Sequence, residues 1–241
     1  MNEKEYIQLL TNEFNNNELT NLITEEKAVK LHQFSNILIE TNKQFNLTAI
    51  TDEKEIIIKH FVDCATVIKH IPKDASVIDV GCGAGFPTLP IAILRDDVKV
   101  TALDSTAKKI NFINLTAKEL NLTNVLGIAS RAEDFANKKR ESYDISISRA
   151  VARLNTLDEL CLPLTKVGGL FIAMKSSKGE EEYAEAKQGI SKLGASLIKK
   201  EVVRLKFEDQ EIEREIFLFK KEEHTPRQYP RNYSQITKKP L

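Results

Sequence analysis

The chain has 241 residues, with 35 Lys and Arg against 35 Asp and Glu, and is 41% hydrophobic and 29% charged. At about 150 residues per domain this suggests one full domain with additions, and the ordinary composition excludes a mainly disordered chain. The zero net charge excludes long-range attraction of nucleic acid by the molecule as a whole, but the charge is uneven. Residues 1–60 hold ten acids and six bases, whereas 224–241 hold Arg227, Arg231, Lys238 and Lys239 and no acid. A nucleic-acid partner would have to be held by such a local patch.

Three cysteines, Cys64, Cys82 and Cys161, show no CxxC spacing and are not flanked by the four histidines, which argues against a disulfide framework or a zinc site and suits a reducing cytoplasm. The polar, acidic start MNEKEYIQLL lacks the apolar stretch of a signal peptide. No apolar run approaches the ~20 residues of a membrane span.

Residues 1–72 read as helical. Thr24 caps a helix whose Ala28, Leu31, Leu38 and Ile39 follow three-and-four spacing, interrupted by Ser35. Asp52 opens a second through Ile58, Phe61, Cys64, Ala65 and Ile68, and Pro72 stops it. From there short β-branched runs alternate with helical stretches. Strands are expected at 76–80, 98–103, 125–129, 143–147 and 170–174, with helices at 87–94, 107–120, 131–137, 154–165 and 179–192 between and after them. Two longer strands, 197–205 and 212–220, close the set without a helix between. Five βα units and a hairpin imply a doubly wound α/β sheet of seven strands, mostly parallel, with one antiparallel strand near an edge. The expected organisation is a helical extension at 1–72, an α/β domain at 73–223 and a loop-like basic tail at 224–241.

The most informative stretch is Asp79-Val80-Gly81-Cys82-Gly83-Ala84-Gly85-Phe86-Pro87, between the first strand and its helix. Gly81, Gly83 and Gly85 let the backbone turn and approach a ligand closely. Phe86 stands where a dinucleotide fingerprint needs its third glycine, and no P-loop lysine follows. An acid just before three alternating glycines suits a ligand with ammonium and sulfonium charges and no phosphate, namely S-adenosylmethionine. A glycine-rich structural turn in another kind of α/β protein is the competing reading. Asp79 would orient the loop or meet the amino-acid end of the ligand. Asp104 closes the second strand, where an acid accepts hydrogen bonds from ribose hydroxyls. Arg131-Ala132-Glu133-Asp134 follows the third strand, where an adenine edge would lie.

With these motifs the sequence resembles the bacterial family that methylates guanine N7 in 16S ribosomal RNA, the RsmG or glucose-inhibited division protein B (GidB) family. The resemblance spans nearly the whole chain. It rests on Phe45-Asn46-Leu47-Thr48-Ala49-Ile50, His60-Phe61-Val62-Asp63, the Gly-Phe-Pro ending of the glycine loop, Leu103-Asp104-Ser105 with Lys108-Lys109, and Ser130-Arg131-Ala132-Glu133. It continues in Ser148-Arg149-Ala150-Val151-Ala152, Tyr229-Pro230-Arg231 and Lys238-Lys239-Pro240-Leu241. It implies a Rossmann-like class I methyltransferase with a helical cap and S-adenosyl-L-methionine as donor. Gly81, Gly83 and Phe86 would line the donor site, with Asp104, Ser105 and Thr106 on the ribose side. Ala132 and Glu133 would flank the adenine, and Arg149 would sit at the mouth, facing donor or substrate. The implied partner is 16S ribosomal RNA or the small subunit, met in the cytoplasm by a monomer. The family's Lys and Gly-Thr-Pro-type run before the final lysines is replaced here by Asn232–Thr237.

The acceptor is also read from what the chain lacks. No (N/D)PP(Y/F) run of amine methylation follows the fourth strand, and Cys161 falls on an apolar helix face rather than at a site for cytosine-C5 attack. Guanine N7 carries its own lone pair, so alignment supplies most of the catalysis and no general base is assigned. Arg149, Lys175 and the tail residues Arg227, Tyr229, Arg231, Lys238 and Lys239 are RNA-contact candidates, because basic residues beside aromatics suit phosphates and unstacked bases. The plainer readings are a structural ion pair for Arg149 and a plain polar tail for the tail residues. His60 reads as packed, Asn46 as a turn residue, and Lys108 and Lys109 as a solvated helix face. Two other functions stay open, a methyltransferase acting on protein or small molecules and a non-catalytic RNA-binding assembly factor.

Overall fold

A computed structural model describes residues 1–149 and 151–241; Ala150, inside the Ser-Arg-Ala-Val-Ala stretch, lies outside the described residues. Seven strands form one sheet in the order β3-β2-β1-β4-β5-β7-β6. They are β1 (Ser76–Val80), β2 (Lys99–Asp104), β3 (Val125–Ala129), β4 (Tyr143–Arg149), β5 (Thr165–Lys175), β6 (Ala195–Phe207) and β7 (Gln210–Lys221). The first five pair in parallel, and β7 runs antiparallel to both β5 and β6. This is the mostly parallel, doubly wound sheet that the βα count and the closing hairpin imply.

Alternation along the strands divides the core in two. Val77, Val100, Ile145, Ile172, Ile216 and Leu218 face one side, while Ile78, Leu103, Phe171, Ala173, Phe217 and Phe219 face the other. The first face is covered by α1 (Glu3–Asn16), α2 (Glu25–Asn42), a helical run over 53–65, α5 (Thr88–Leu94) and α6 (Ala107–Glu119). The second is covered by α7 (Ala132–Lys138), α8 (Leu154–Cys161), α9 (Gly179–Lys192) and α10 (Tyr233–Lys238). The N-terminal helices share the sheet's own core, because Tyr6, Leu10, Phe14 and Phe34 are fully buried in the same cluster as Val77 and Ile147.

Caps set the helix starts. Asn2 and Glu5 form a capping box, and the side chains of Thr24 and Asp52 accept from the backbone N–H of Lys27 and Glu55. The run from Asp52 is not one regular helix. It comprises α3 (Glu53–Ile56), a π-helical turn (Ile57–Val62) and α4 (Asp63–Ala65). The wider turn buries Ile57, Ile58, His60, Phe61 and Val62 together, more than a three-and-four stripe allows.

Most boundaries move by one to three residues, and three departures from the sequence expectation are larger. The helix expected over 154–165 ends at Cys161 and tightens to a 3-10 turn (Leu162–Leu164), because Pro163 has no N–H to continue it. β5 begins at Thr165 rather than 170: the pairing with β4 shifts register after Tyr143, around Gly168 in a left-handed conformation (φ +85). The tail is not wholly loop-like. Asn232 caps α10, accepting from Gln235 N–H at 3.0 Å, and Ile236 is fully buried.

Candidate functional site

In the strand order, chain connectivity reverses at β1, with β2 on one side and β4 on the other. A ligand crevice is expected at the carboxyl ends of these strands. There the backbone leaves β1 through Gly81, whose N–H donates to the Leu103 carbonyl at 2.7 Å. Gly81 has φ +76, and a Cβ on it would lie 2.5 Å from a Val151 methyl, so both conformation and space require glycine. Asp79 supports the loop from below. It is fully buried, and Oδ2 accepts from the Thr88 N–H at 3.1 Å and hydroxyl at 2.6 Å, tying β1 to the start of α5. Burial raises its pKa to about 7. Its other oxygen, Oδ1, is buried without a protein partner.

Asp104 ends β2 and holds two backbone groups, accepting from Gly83 N–H at 3.2 Å and Thr106 N–H at 2.8 Å. Ser130 N–H donates to the Asp104 carbonyl at 3.1 Å, which brings the end of β3 alongside. A cleft of about 290 Å³ results, and its walls include Gly81, Asp104, Ser105, Thr106, Ala132 and Glu133. Of the donor-site residues read from the sequence, these six meet in one cavity. Gly83 contributes its N–H to Asp104 but is not on the wall. Phe86 lies beneath the loop, stacked on His60 with ring centroids 4.1 Å apart and packed near Phe34 and Phe61.

Arg149 lies apart from this cleft. At the end of β4, it lines a neighbouring cavity of about 410 Å³ with Asp63, Lys175 and Arg214, and Val151 borders both cavities. Its guanidinium donates to His60 Nδ1 at 2.8 Å and to Cys64 Sγ at 3.2 Å, and lies 3.5 Å from Asp63. Because arginine only donates, Nδ1 must accept, which leaves Nε2–H facing the Thr48 hydroxyl at 3.2 Å. Burial, reinforced by the Arg149 charge, pushes the His60 pKa down to about 3, so the ring is neutral. Thr48 is held in turn by Asn42, whose side chain accepts from the N–H groups of Leu47 and Thr48. The Phe-Asn-Leu-Thr segment thus supports the arginine through His60. Arg214, from β7, reaches the other Asp63 oxygen at 3.3 Å.

Lys175 is nearly buried, donating to the Ala152 carbonyl at 2.6 Å and forming an ion pair with Glu182 at 2.7 Å. Arg231 is bound to the fully buried Glu159, with Nε at 2.9 Å and its N–H at 2.7 Å. Tyr229 is partly buried against the α7–α10 face, whereas Arg227, Lys238 and Lys239 are exposed. All three cysteines are buried, and burial pushes the Cys64 thiol up to about 12, against a nucleophilic role.

Sequence reasoning gave no role to Asp63 or Arg214 and gave Tyr233 only one facing RNA. Arg214 sits among glutamates on an alternating strand and reads as a surface residue. Tyr233 stands in a basic tail and reads as a base-stacking partner. Nothing local marks either as reaching a cavity.

The strand order and the glycine-loop cleft define a class I, S-adenosylmethionine-dependent methyltransferase. Solved structures agree on the fold: M. jannaschii TYW2 in complex with AdoMet superposes with a TM-score of 0.54 at 19% identity, over 66% of this chain and 75% of that one. Residues 27–213 match the GidB family, described as rRNA small subunit methyltransferase G. Ribosomal RNA small subunit methyltransferase G from Desulforamulus reducens is 45% identical over 91% of this chain and 92% of its own length. That from Clostridium perfringens strain 13 is 46% identical over 90% and 92%. The chain belongs to the rRNA small subunit methyltransferase G family. Among the described residues, no helix is long and apolar enough to cross a membrane.

Proposed function

We propose that the protein transfers the methyl group of S-adenosylmethionine to N7 of a guanine in 16S ribosomal RNA, working as a cytoplasmic monomer. One observation carries this reading: a cleft built from Gly81, the Asp104–Thr106 turn and the start of α7 lies beside a cavity lined by Arg149, Lys175 and Arg214 with the acids Asp63 and Glu182, and Val151 borders both. The donor set suits the ligand. Asp104 keeps lone pairs on both oxygens for ribose hydroxyls, Ser105 and Thr106 add polar groups, and the unpartnered Asp79 Oδ1 is an acceptor below the loop.

S-adenosylmethionine supplies the electrophilic methyl. The chain's residues position and exclude water, and guanine N7 requires no base. Arg149 is the residue for the purine O6 edge or a flanking phosphate, because its guanidinium is already oriented by His60, Cys64 and Asp63. Lys175 and Arg214 add charge to the same cavity. In this reading residues 1–72 brace that cavity, 73–223 carry the donor cleft, and the exposed Arg227, Lys238 and Lys239 meet RNA backbone.

The test is to incubate the protein with methyl-labelled S-adenosylmethionine and small ribosomal subunits from a strain lacking its gene. Label should enter one guanine at N7. Tight donor binding with no label in the RNA would overturn the substrate and favour a protein or small-molecule acceptor.

A further inference from the structure

Beside the donor cleft lies a second opening of about 500 Å³, whose walls include Arg131, Glu133, Asn137, Arg231 and Tyr233. Arg131, Glu133 and Tyr233 line both cavities, so the C-terminal segment forms part of the wall of the donor cleft. This segment is firmly held. Arg231 ties Glu159 at one end and donates to the Lys239 carbonyl at 3.0 Å, closing a loop around α10. Arg140 donates to the carbonyls of Tyr229 at 2.7 Å and Pro226 at 3.0 Å. Ile236 is buried against the α8 side, and Leu241 sits against Gly189 of α9, where a Cβ would be only 2.8 Å away. These anchors leave Tyr233 at the rim with its side chain 41% exposed.

A large aromatic side chain that is half exposed, on a backbone fixed from both ends, is a preorganised stacking platform. Its location selects what stacks there. Asp104 at the end of β2 marks the ribose, and the next strand end, at Ser130–Glu133, is where the base lies; Tyr233 meets the cleft on that side. The Arg131 guanidinium lies over the Tyr233 ring, 5.9 Å from its centre. We propose that Tyr233 is a donor-binding residue that packs on the adenine of S-adenosylmethionine, and that the Arg231–Glu159 pair positions it. The tail is then first a wall of the donor site, and only its outward cations remain for RNA. This rests on the reading of the cleft as the methyl-donor site.

The experiment compares wild type, Tyr233→Ala and Tyr233→Phe by calorimetric titration with S-adenosylhomocysteine. Tyr233→Ala should bind about 5- to 30-fold more weakly, which is ~1–2 kcal/mol at 1.4 kcal/mol per decade. Tyr233→Phe should stay within about twofold, since the ring and not the hydroxyl is used. In turnover assays the alanine variant should raise KM for S-adenosylmethionine with little change in kcat, and its affinity for 16S RNA should be that of wild type. Unchanged affinity of Tyr233→Ala for S-adenosylhomocysteine, while wild type binds it well, would overturn the proposal and leave the cleft reading standing. Loss of RNA affinity with donor affinity kept would overturn it too, by assigning the ring to RNA. Failure of wild type to bind S-adenosylhomocysteine at all would remove the cleft reading itself.

Discussion

The two cavities at the carboxyl ends of the strands meet at Val151 but are built differently. The donor cleft is framed by turns, namely a left-handed glycine, the turn after β2 and the first residues of α7, each continuous with a strand end, with Tyr233 added at the rim. The Arg149 cavity is made of long side chains that converge from α4, β4, β5 and β7. A site framed by turns is specified by short motifs and fails when a turn is blocked. A convergent site is specified by packing and fails when a charge loses its partners.

The sharpest way to break this comparison is Gly81→Val. A β-branched residue at φ +76 is strained, and its Cβ would collide with Val151. Turnover should fall at least about a thousandfold, ~4 kcal/mol by transition-state arithmetic, with donor binding lost in titration. Wild-type donor affinity in this variant would show that the glycine turn is only structural.

Arg149→Ala should act on the other axis. It leaves Asp63 buried with Arg214 alone and His60 Nδ1 without its donor. Urea unfolding should report a loss of about 2–3 kcal/mol, since unpairing buried charges and hydrogen bonds costs this much. Methyl transfer should fall severely while affinity for S-adenosylhomocysteine stays within about threefold. A large drop in donor affinity would merge the two cavities into one site. Asp104→Asn is the smaller, complementary change on the cleft side. It keeps shape and weakens charge-assisted hydrogen bonds, so KM for the donor should rise about 10- to 30-fold, with kcat at saturation nearly unchanged.

How the residues came to be read follows the same division. The glycine loop, Asp104 and the Ala132–Glu133 turn were legible because each follows a short β-branched run, and the position of a strand end is set by local pattern. The mostly parallel sheet with its closing antiparallel hairpin followed from counting βα units and noting the helix-free connection, whereas the strand order did not. What the sequence hid depends on distance. Arg149 was visible as a motif, but its partner Asp63, and Arg214 on the other oxygen of that acid, are far away in the chain, and no spacing rule joins them. The tail misled for another reason. Its four cations read as one RNA-facing patch, yet Arg231 is used on Glu159, a buried acid in α8 that periodicity alone presents as an ordinary helix residue. The π turn was missed because a helical stripe reports which residues face inward and not whether one extra residue widens the turn.

The finest probe of the convergent cavity is pH. His60 has a folded pKa near 3 against about 6.5 in the unfolded chain. The unfolded state therefore takes up a proton that the folded state refuses. Stability from the neutral ring is fully present above pH 6.5 and is lost as pH falls toward 3, with a slope approaching about 1.4 kcal/mol per pH unit. Asp79 and the fully buried Asp158 of α8 tilt the other way: burial raises them to about 7 and about 8, so their contribution is present at low pH and is lost as pH rises from about 4 through those values. The imidazole is isolated by comparison with His60→Gln, which keeps an acceptor for Arg149 and does not titrate. Urea unfolding from pH 8 to pH 5 should show wild type losing about 1–2 kcal/mol relative to the variant. Parallel curves would mean that the folded ring accepts a proton as readily as the unfolded one. Its bond to Arg149 would then not be the acceptor bond that holds the guanidinium in place, and the convergent cavity would lose its rigid anchor.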